Sequence, residues 1–249
     1  ILDSFKKIGY QVTFRLLNSA DYGVPQLRER VFILGGLTKE LSFPAPTHGV
    51  DSKSGKQHTT VLEAIKDIYN PREKQKPFGG QHGHLIPLVP EGDNYSYFTI
   101  DRGYDPPIFG WRTKFSTFMY KLAKNEPART IQAQPGKCSG PLHWLNRKLN
   151  SDELIRLQTF PKDFIFNCGQ TLIQHQIGNS VPPLLAKVLS ESIYKQLNNM
   201  KINKDELIDK DFRFSFDAVK GKLAKKTRRK RSTQLKKITG QKELEFSGS

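Results

Sequence analysis

Cysteine is nearly absent: the 249 residues hold Cys138 and Cys168 only, and neither sits in a CxxC or Cys/His spacing. That argues against a disulfide framework and against a zinc site, and leaves two reduced thiols. Long apolar runs are also missing. Nothing approaches the roughly 18 residues that cross a bilayer, and no basic stretch leads into an apolar core of signal type. A soluble intracellular protein, cytoplasmic, is therefore expected. Acidic residues are few, 24 against 40 Lys and Arg, for a net charge of +16. This imbalance favours a polyanionic partner, nucleic acid first and an anionic membrane surface second. Metal ligands are no better represented, because His82 and His84 in Gln81-His82-Gly83-His84 have no third ligand at suitable spacing.

What is present is 36% apolar residues, enough for one or two modest cores. Ile1, Leu2, Phe5 and Ile8 fall on one helical face, and Gly9 suits the left-handed position that ends a helix. Val12, Phe14 and Leu16 alternate with polar neighbours as in a half-buried strand. Residues 31–34 form a continuous apolar run closed by Gly35 and Gly36, which reads as a second strand. One helix and two strands cannot bury both faces of a sheet, so the first 36 residues read as the end of a larger one. The chain opens on Ile1 rather than Met, as expected either of a piece of a longer polypeptide or of a numbering that omits something upstream.

From Leu37 to about Pro127 the chain is rich in loops, with one short helical stretch at 60–69. Beyond it, Asn150 stands three residues before Glu153 as in a capping box, and Leu154, Leu157 and Phe160 predict a helix over 151–160, blocked by Pro161. Pro182 and Pro183 fit a first helical turn, and Leu185, Val188, Leu189, Ile193 and Leu197 predict a helix over 182–197. Residues 199–249 carry 15 Lys or Arg against 7 Asp or Glu, a net of +8 and half the charge of the chain. The densest block, 222–231, repels itself and is expected to stay disordered until an anion neutralises it.

Two phrases carry the chemistry. Asp21-Tyr22-Gly23-Val24-Pro25-Gln26-Leu27-Arg28-Glu29-Arg30 places Gln26, Arg28 and Arg30 at alternate positions, which an extended backbone puts on one side. Gly178-Asn179-Ser180-Val181-Pro182-Pro183 combines a permissive glycine, two polar side chains and a helix start whose N–H groups suit a carboxylate. Together with Arg129-Thr130-Ile131 and Arg147-Lys148-Leu149-Asn150-Ser151-Asp152-Glu153-Leu154-Ile155-Arg156-Leu157-Gln158-Thr159-Phe160-Pro161, these phrases resemble the last conserved blocks of the cytosine-5 DNA methyltransferases. The resemblance covers roughly residues 1–198.

The resemblance implies an α/β fold: the terminal strands and closing helix of an incomplete, Rossmann-like methyltransferase sheet, plus a small loop-rich target recognition domain and a basic tail. It divides the chain into 1–37, the end of the catalytic domain; 38–165, the recognition domain; 166–198, a segment returning to the catalytic domain; and 199–249, a basic extension. It implies that Arg30 donates to cytosine O2 while Gln26 and Arg28 fix the loop and nearby backbone, and that Asn179, Ser180 and Val181 lie beside S-adenosylmethionine. Arg129 and Thr130 would meet phosphates. Within 38–126, Arg102, Arg112 and Lys114, with Lys53, Lys56, Arg72, Lys74 and Lys76, would serve phosphates and base edges of double-stranded DNA.

The same resemblance exposes a deficit. Methylation at C5 needs a thiolate, a carboxylate near N3 and a glycine-rich cofactor loop. The chain holds no Pro-Cys-Gln, no Glu-Asn-Val and no Phe-x-Gly-x-Gly. It is expected to be inactive alone, with the nucleophile on an N-terminal half of one polypeptide or on a partner subunit. A restriction-modification setting follows from the resemblance. Two other readings stay open: a DNA-binding module without transferase function, and a fragment of an RNA cytosine-5 methyltransferase.

Overall fold

The computed structural model describes residues 2–68, 70, 72, 78–110 and 116–208. Helix α1, Leu2–Lys7, ends where Gly9 takes a φ of 92°. Strands β1, Gln11–Asn18, and β3, Glu29–Gly36, pair antiparallel, with Phe14 opposite Ile33 and Leu17 opposite Arg30. Between them a 3-10 turn at Ser19–Tyr22 is closed by Asn18, whose Oδ1 accepts from both Ala20 N and Arg28 N at 3.2 Å. That closure splits the 26–30 block: Gln26–Leu27 form β2, paired in parallel with β4, Ala128–Arg129, while Arg30 lies in β3. Among the described residues the strands form three two-stranded pairs, the third joining β5, Leu142–His143, and β6, Arg147–Lys148.

The helices are short. α2 spans Val61–Ile65 and α3 spans Ser151–Leu157, each opened by a complete capping box, Thr60 with Glu63 and Asn150 with Glu153. The expected 151–160 helix stops early because Thr159 turns left-handed at φ 66°. α4, Gln170–Asn179, was not legible in the sequence; Gly178 and Asn179 are its last residues rather than a free turn. α5 spans Pro183–Leu197 with Pro182 as its N-cap.

Three apolar clusters organise the described residues. Leu17, Tyr22, Val24, Phe43, Leu185 and Leu189 join the β1–β3 hairpin to α5. A central cluster joins α2, α3 and α4 through Val61, Ile65, Leu154, Leu157, Ile173 and Ile177. An aromatic cluster around Tyr95, Phe98 and Met119 fills the loop-rich region. α4 therefore packs with the central cluster, while α5 packs with the hairpin. The C-terminal boundary moves: Leu207 bridges Pro44, Ala45 N–H donates to Glu206 O and Ile208 N–H to Phe43 O, both at 2.8 Å. Residues 200–208 belong to the folded unit, which clusters as 1–208. The rest of the basic extension, including 222–231, lies outside the described residues.

The hairpin presents two unlike faces. Phe32 and Leu34 pack against α5. On the other face Phe14, Val31 and Ile33 are 42%, 51% and 40% exposed, so the apolar run is covered on one side only.

Candidate functional site

The site is built where phrases distant in sequence meet. Gln26 is fully buried: its Nε2 donates to Gln158 Oε1 at 2.6 Å, and its Oε1 accepts from Ile131 N–H at 3.3 Å. Gln158, equally buried, turns its own Nε2 toward Ile177 O and Ser180 O, both at 3.0 Å, and Ser180 Oγ at 2.9 Å. Arg28 reaches the same turn, its Nη2 donating to Gly178 O at 2.8 Å. Gly178 is obligatory on steric grounds, since a Cβ there would stand 2.3 Å from Ala133 N and 2.4 Å from Ala133 Cα. Thr130 Oγ1 donates to Leu27 O at 2.8 Å, locking β2 to β4. Four segments are thereby stitched by side-chain amides and one guanidinium.

Gln26, Arg28 and Arg30 do not converge as one extended row. Gln26 and Arg28 point inward and hold backbone, whereas Arg30 is exposed, with Nη1 donating to Glu29 O at 2.7 Å. Burial first, and then the charge of Arg30, lowers the Arg28 pKa to about 10, so Arg28 stays protonated at neutral pH. Its Nε and Nη1 are buried without a hydrogen-bond partner among the described residues.

Asn179 and Val181 are exposed at the α4–α5 turn. Ser180 is committed inward, its hydroxyl donating to Ile177 O at 2.8 Å while accepting from Gln158. The first turn of α5 offers fewer free N–H groups than expected of it. Pro182 and Pro183 have none, and Leu184 N–H donates to Thr159 Oγ1 at 3.1 Å.

The Arg129 guanidinium lies over the Tyr120 ring, 4.0 Å from its centroid, with Nη1 donating to Ser116 O at 3.2 Å. Such a contact holds the guanidinium in place while leaving other donors for an anion. Arg102 is drawn into the loop-rich unit, pairing with Asp93 at 2.5 Å, and Lys53 pairs with Asp205. Both charges already have a counter-ion. Arg112, Lys114, Lys74 and Lys76 lie outside the described residues. His82 is packed edge-on against Phe109, 5.0 Å between centroids, and no group of three His, Cys, Asp or Glu gathers among the described residues. No helix among them is long and apolar enough to cross a membrane.

A second buried constellation lies at the start of α3, the helix whose C-cap is Gln158. Arg147 grips Glu153 with two bonds of 2.8 and 2.6 Å, Glu153 caps α3, and His143 Nε2 stands 3.5 Å from the same carboxylate. His143 Nδ1 accepts from Leu145 N–H at 2.9 Å, which places the ring proton on Nε2. Burial, then Arg147 and Lys124, lowers its pKa to about 3, so the imidazole is neutral.

The family model for C-5 cytosine-specific DNA methylase matches residues 1–195. The chain is 36% identical over 215 residues to the type II methyltransferase M.SacI of Streptomyces achromogenes, covering 79% of this chain and 55% of that protein. It is 34% identical over 200 residues to the type II methyltransferase M.NgoFVII of Neisseria gonorrhoeae, covering 78% and 52%. With the type II methyltransferase M1.HphI of Haemophilus parahaemolyticus it shares 31% over 208 residues, covering 80% and 52%. The chain spans about half the length of these relatives.

Proposed function

Because the chain belongs to the C-5 cytosine-specific DNA methylase family, we propose that it is the component of a DNA (cytosine-5-)-methyltransferase that supplies base-side arginines, target recognition and one wall of the cofactor site. The observation that carries this reading is the amide network, which draws the 26–30 block, Arg129-Thr130-Ile131, Gln158 and the 177–181 turn into one place. Such convergence of side chains from separate blocks is what a site needs and an isolated DNA-binding module does not.

The substrate is a cytosine rotated out of duplex DNA, since C5 cannot be reached within the stack. Arg30, exposed at the start of β3, donates to cytosine O2 and stabilises negative charge as a thiolate adds to C6. Arg28 holds the turn beneath it. Asn179 and Val181 offer an amide and an apolar surface side by side, a donor set that fits an amino acid joined to a nucleoside. Bound there, S-adenosylmethionine supplies the methyl group. Ser180 acts through position rather than contact, its hydroxyl being consumed. Arg129, already oriented by Tyr120, takes a backbone phosphate.

The thiolate, the carboxylate and the glycine-rich loop come from a complementary segment, an N-terminal half or a partner subunit. The exposed face of Phe14, Val31 and Ile33 and the edge of β3 that has no strand partner among the described residues are where such a segment would add strand and cover. The relatives' names as type II methyltransferases favour a restriction-modification role. The test is transfer of labelled methyl from S-adenosylmethionine to duplex DNA by this chain with and without the complementary segment. Activity only in the mixture is expected; activity from this chain alone would overturn the assignment of the nucleophile. Ile33→Lys should block association without lowering the melting temperature.

A further inference from the structure

The amides of the network are oriented in series: Ile131 N–H donates to Gln26 Oε1, Gln26 Nε2 to Gln158 Oε1, and Gln158 Nε2 to Ile177 O and Ser180. Each glutamine uses its carbonyl toward one segment and its NH2 toward the next, so neither can flip its amide without placing two acceptors face to face. Both side chains are fully buried, where water cannot replace a lost bond. Gln158 is the only member of the series that touches both the Gln26 side chain and the 177–180 turn among the described residues.

We propose that Gln158 is a positioning residue that, beside the direct Arg28 bond to Gly178 O, couples β2 to the 177–181 turn, so that the 26–30 block carrying Arg30 and the Asn179–Val181 wall are placed together. This rests on the methyltransferase reading for its consequence in catalysis, and on the hydrogen bonds alone for the coupling. Coupled members of one network respond non-additively to substitution, whereas two independent packing residues add.

Two amides report the two ends. Ile131 N–H is bonded to Gln26 Oε1, and Ser180 N–H is bonded to Ile177 O at 3.2 Å. In the full 249-residue chain, Gln158→Leu should accelerate hydrogen exchange at both amides by a similar factor, about tenfold. Leu122 N–H, bonded to Leu142 O at 2.8 Å in the loop-rich region, should hold its rate. Gln26→Leu should accelerate Ser180 as well as Ile131, and the double variant should exchange no faster than the quicker single one. Acceleration of Ser180 with Ile131 unchanged in Gln158→Leu, or additive effects in the double variant, would overturn the proposal. If Gln158→Leu does not fold, Gln158→Glu replaces it. Its carboxyl can donate to the turn while protonated and cannot once ionised, so the protection of both amides, measured against their intrinsic exchange rates at each pH, should fall together as pH rises while that of Leu122 does not; separate protection profiles would overturn the coupling.

In the assembled enzyme the same substitution should lower kcat about tenfold with the KM for DNA nearly unchanged, because a misaligned site still binds its duplex. An unchanged kcat beside coupled exchange would overturn the catalytic part. Absence of methyl transfer by the unsubstituted assembly is a failure of the functional reading instead, and the exchange arm decides the coupling independently.

Discussion

Replacing Gly178 with alanine adds one methyl group at the most crowded point of the site. That Cβ would stand 2.3 Å from Ala133 N, 2.4 Å from Ala133 Cα and 2.7 Å from Gln132 C, all backbone atoms that cannot rotate aside. Ordinary contact requires α4 and the 132–133 backbone to separate by about 1 Å. Overpacking of this kind costs about 1–3 kcal/mol. The same shift stretches the Arg28 bond to Gly178 O, a charged donor on a buried acceptor, which adds about 1.5–3 kcal/mol. A total of about 2.5–6 kcal/mol in a unit of this size lowers the melting temperature by about 5–24 °C. The assay is thermal unfolding followed by circular dichroism. Gly169→Ala serves as control, because a Cβ there meets nothing within 4 Å and its φ is −73°; it should cost at most about 1 kcal/mol. A Gly178→Ala protein melting within about 2 °C of the parent would refute the steric argument.

Four further expectations follow from named contacts. His143 is held neutral with a pKa lowered from 6.5 to about 3, so the unfolded chain binds the extra proton first and stability falls as pH drops below 6.5. Between pH 8 and pH 5 the loss is about 2 kcal/mol, read from urea midpoints, and His143→Asn should flatten that slope. Glu153→Gln strands the Arg147 guanidinium in the interior and should cost about 3–5 kcal/mol, while replacing both partners with apolar residues costs markedly less. Arg129→Ala should weaken binding to all duplexes and reduce the salt slope by about 1, whereas Arg102→Gln should change stability and leave that slope alone, since Asp93 already neutralises it. Deleting residues 215–249 should weaken binding to every sequence alike and flatten its salt dependence, as measured by titration at several salt concentrations.

Periodicity made α5 legible, because its apolar residues recur at the spacing of the face it buries; the alternation Val12, Phe14, Leu16 marked β1 as a strand but lies on the exposed face of the hairpin, and β3 was legible as a continuous apolar run. Helix α4 escaped notice for the opposite reason. Gln170, Gln174 and Gln176 dominate it, and it is secured by Ile173 and Ile177 alone, too few to set a period. The split of the 26–30 block was hidden because the turn that breaks it is closed by Asn18, eight residues before Gln26. Gln158 stood inside an apolar helical stripe, and nothing local marks a glutamine whose partner lies 132 positions away. The pairing of residues 206–208 with 43–45 was masked by the charge of the surrounding tail. The cations expected to read DNA divided by a property that composition cannot reveal, namely whether an acid stands beside them: Arg102 and Lys53 have one, and Arg129 has an aromatic ring instead.

The position of the transferred methyl group tests the central claim most directly. Duplex DNA is incubated with S-adenosylmethionine, this chain and a polypeptide carrying the complementary family blocks, and its nucleosides are then separated and weighed by mass spectrometry. The account predicts 5-methylcytosine confined to one sequence context and lost in Arg30→Ala. Methyl groups on an exocyclic amine of cytosine or adenine, or 5-methylcytosine that persists without Arg30, would contradict it.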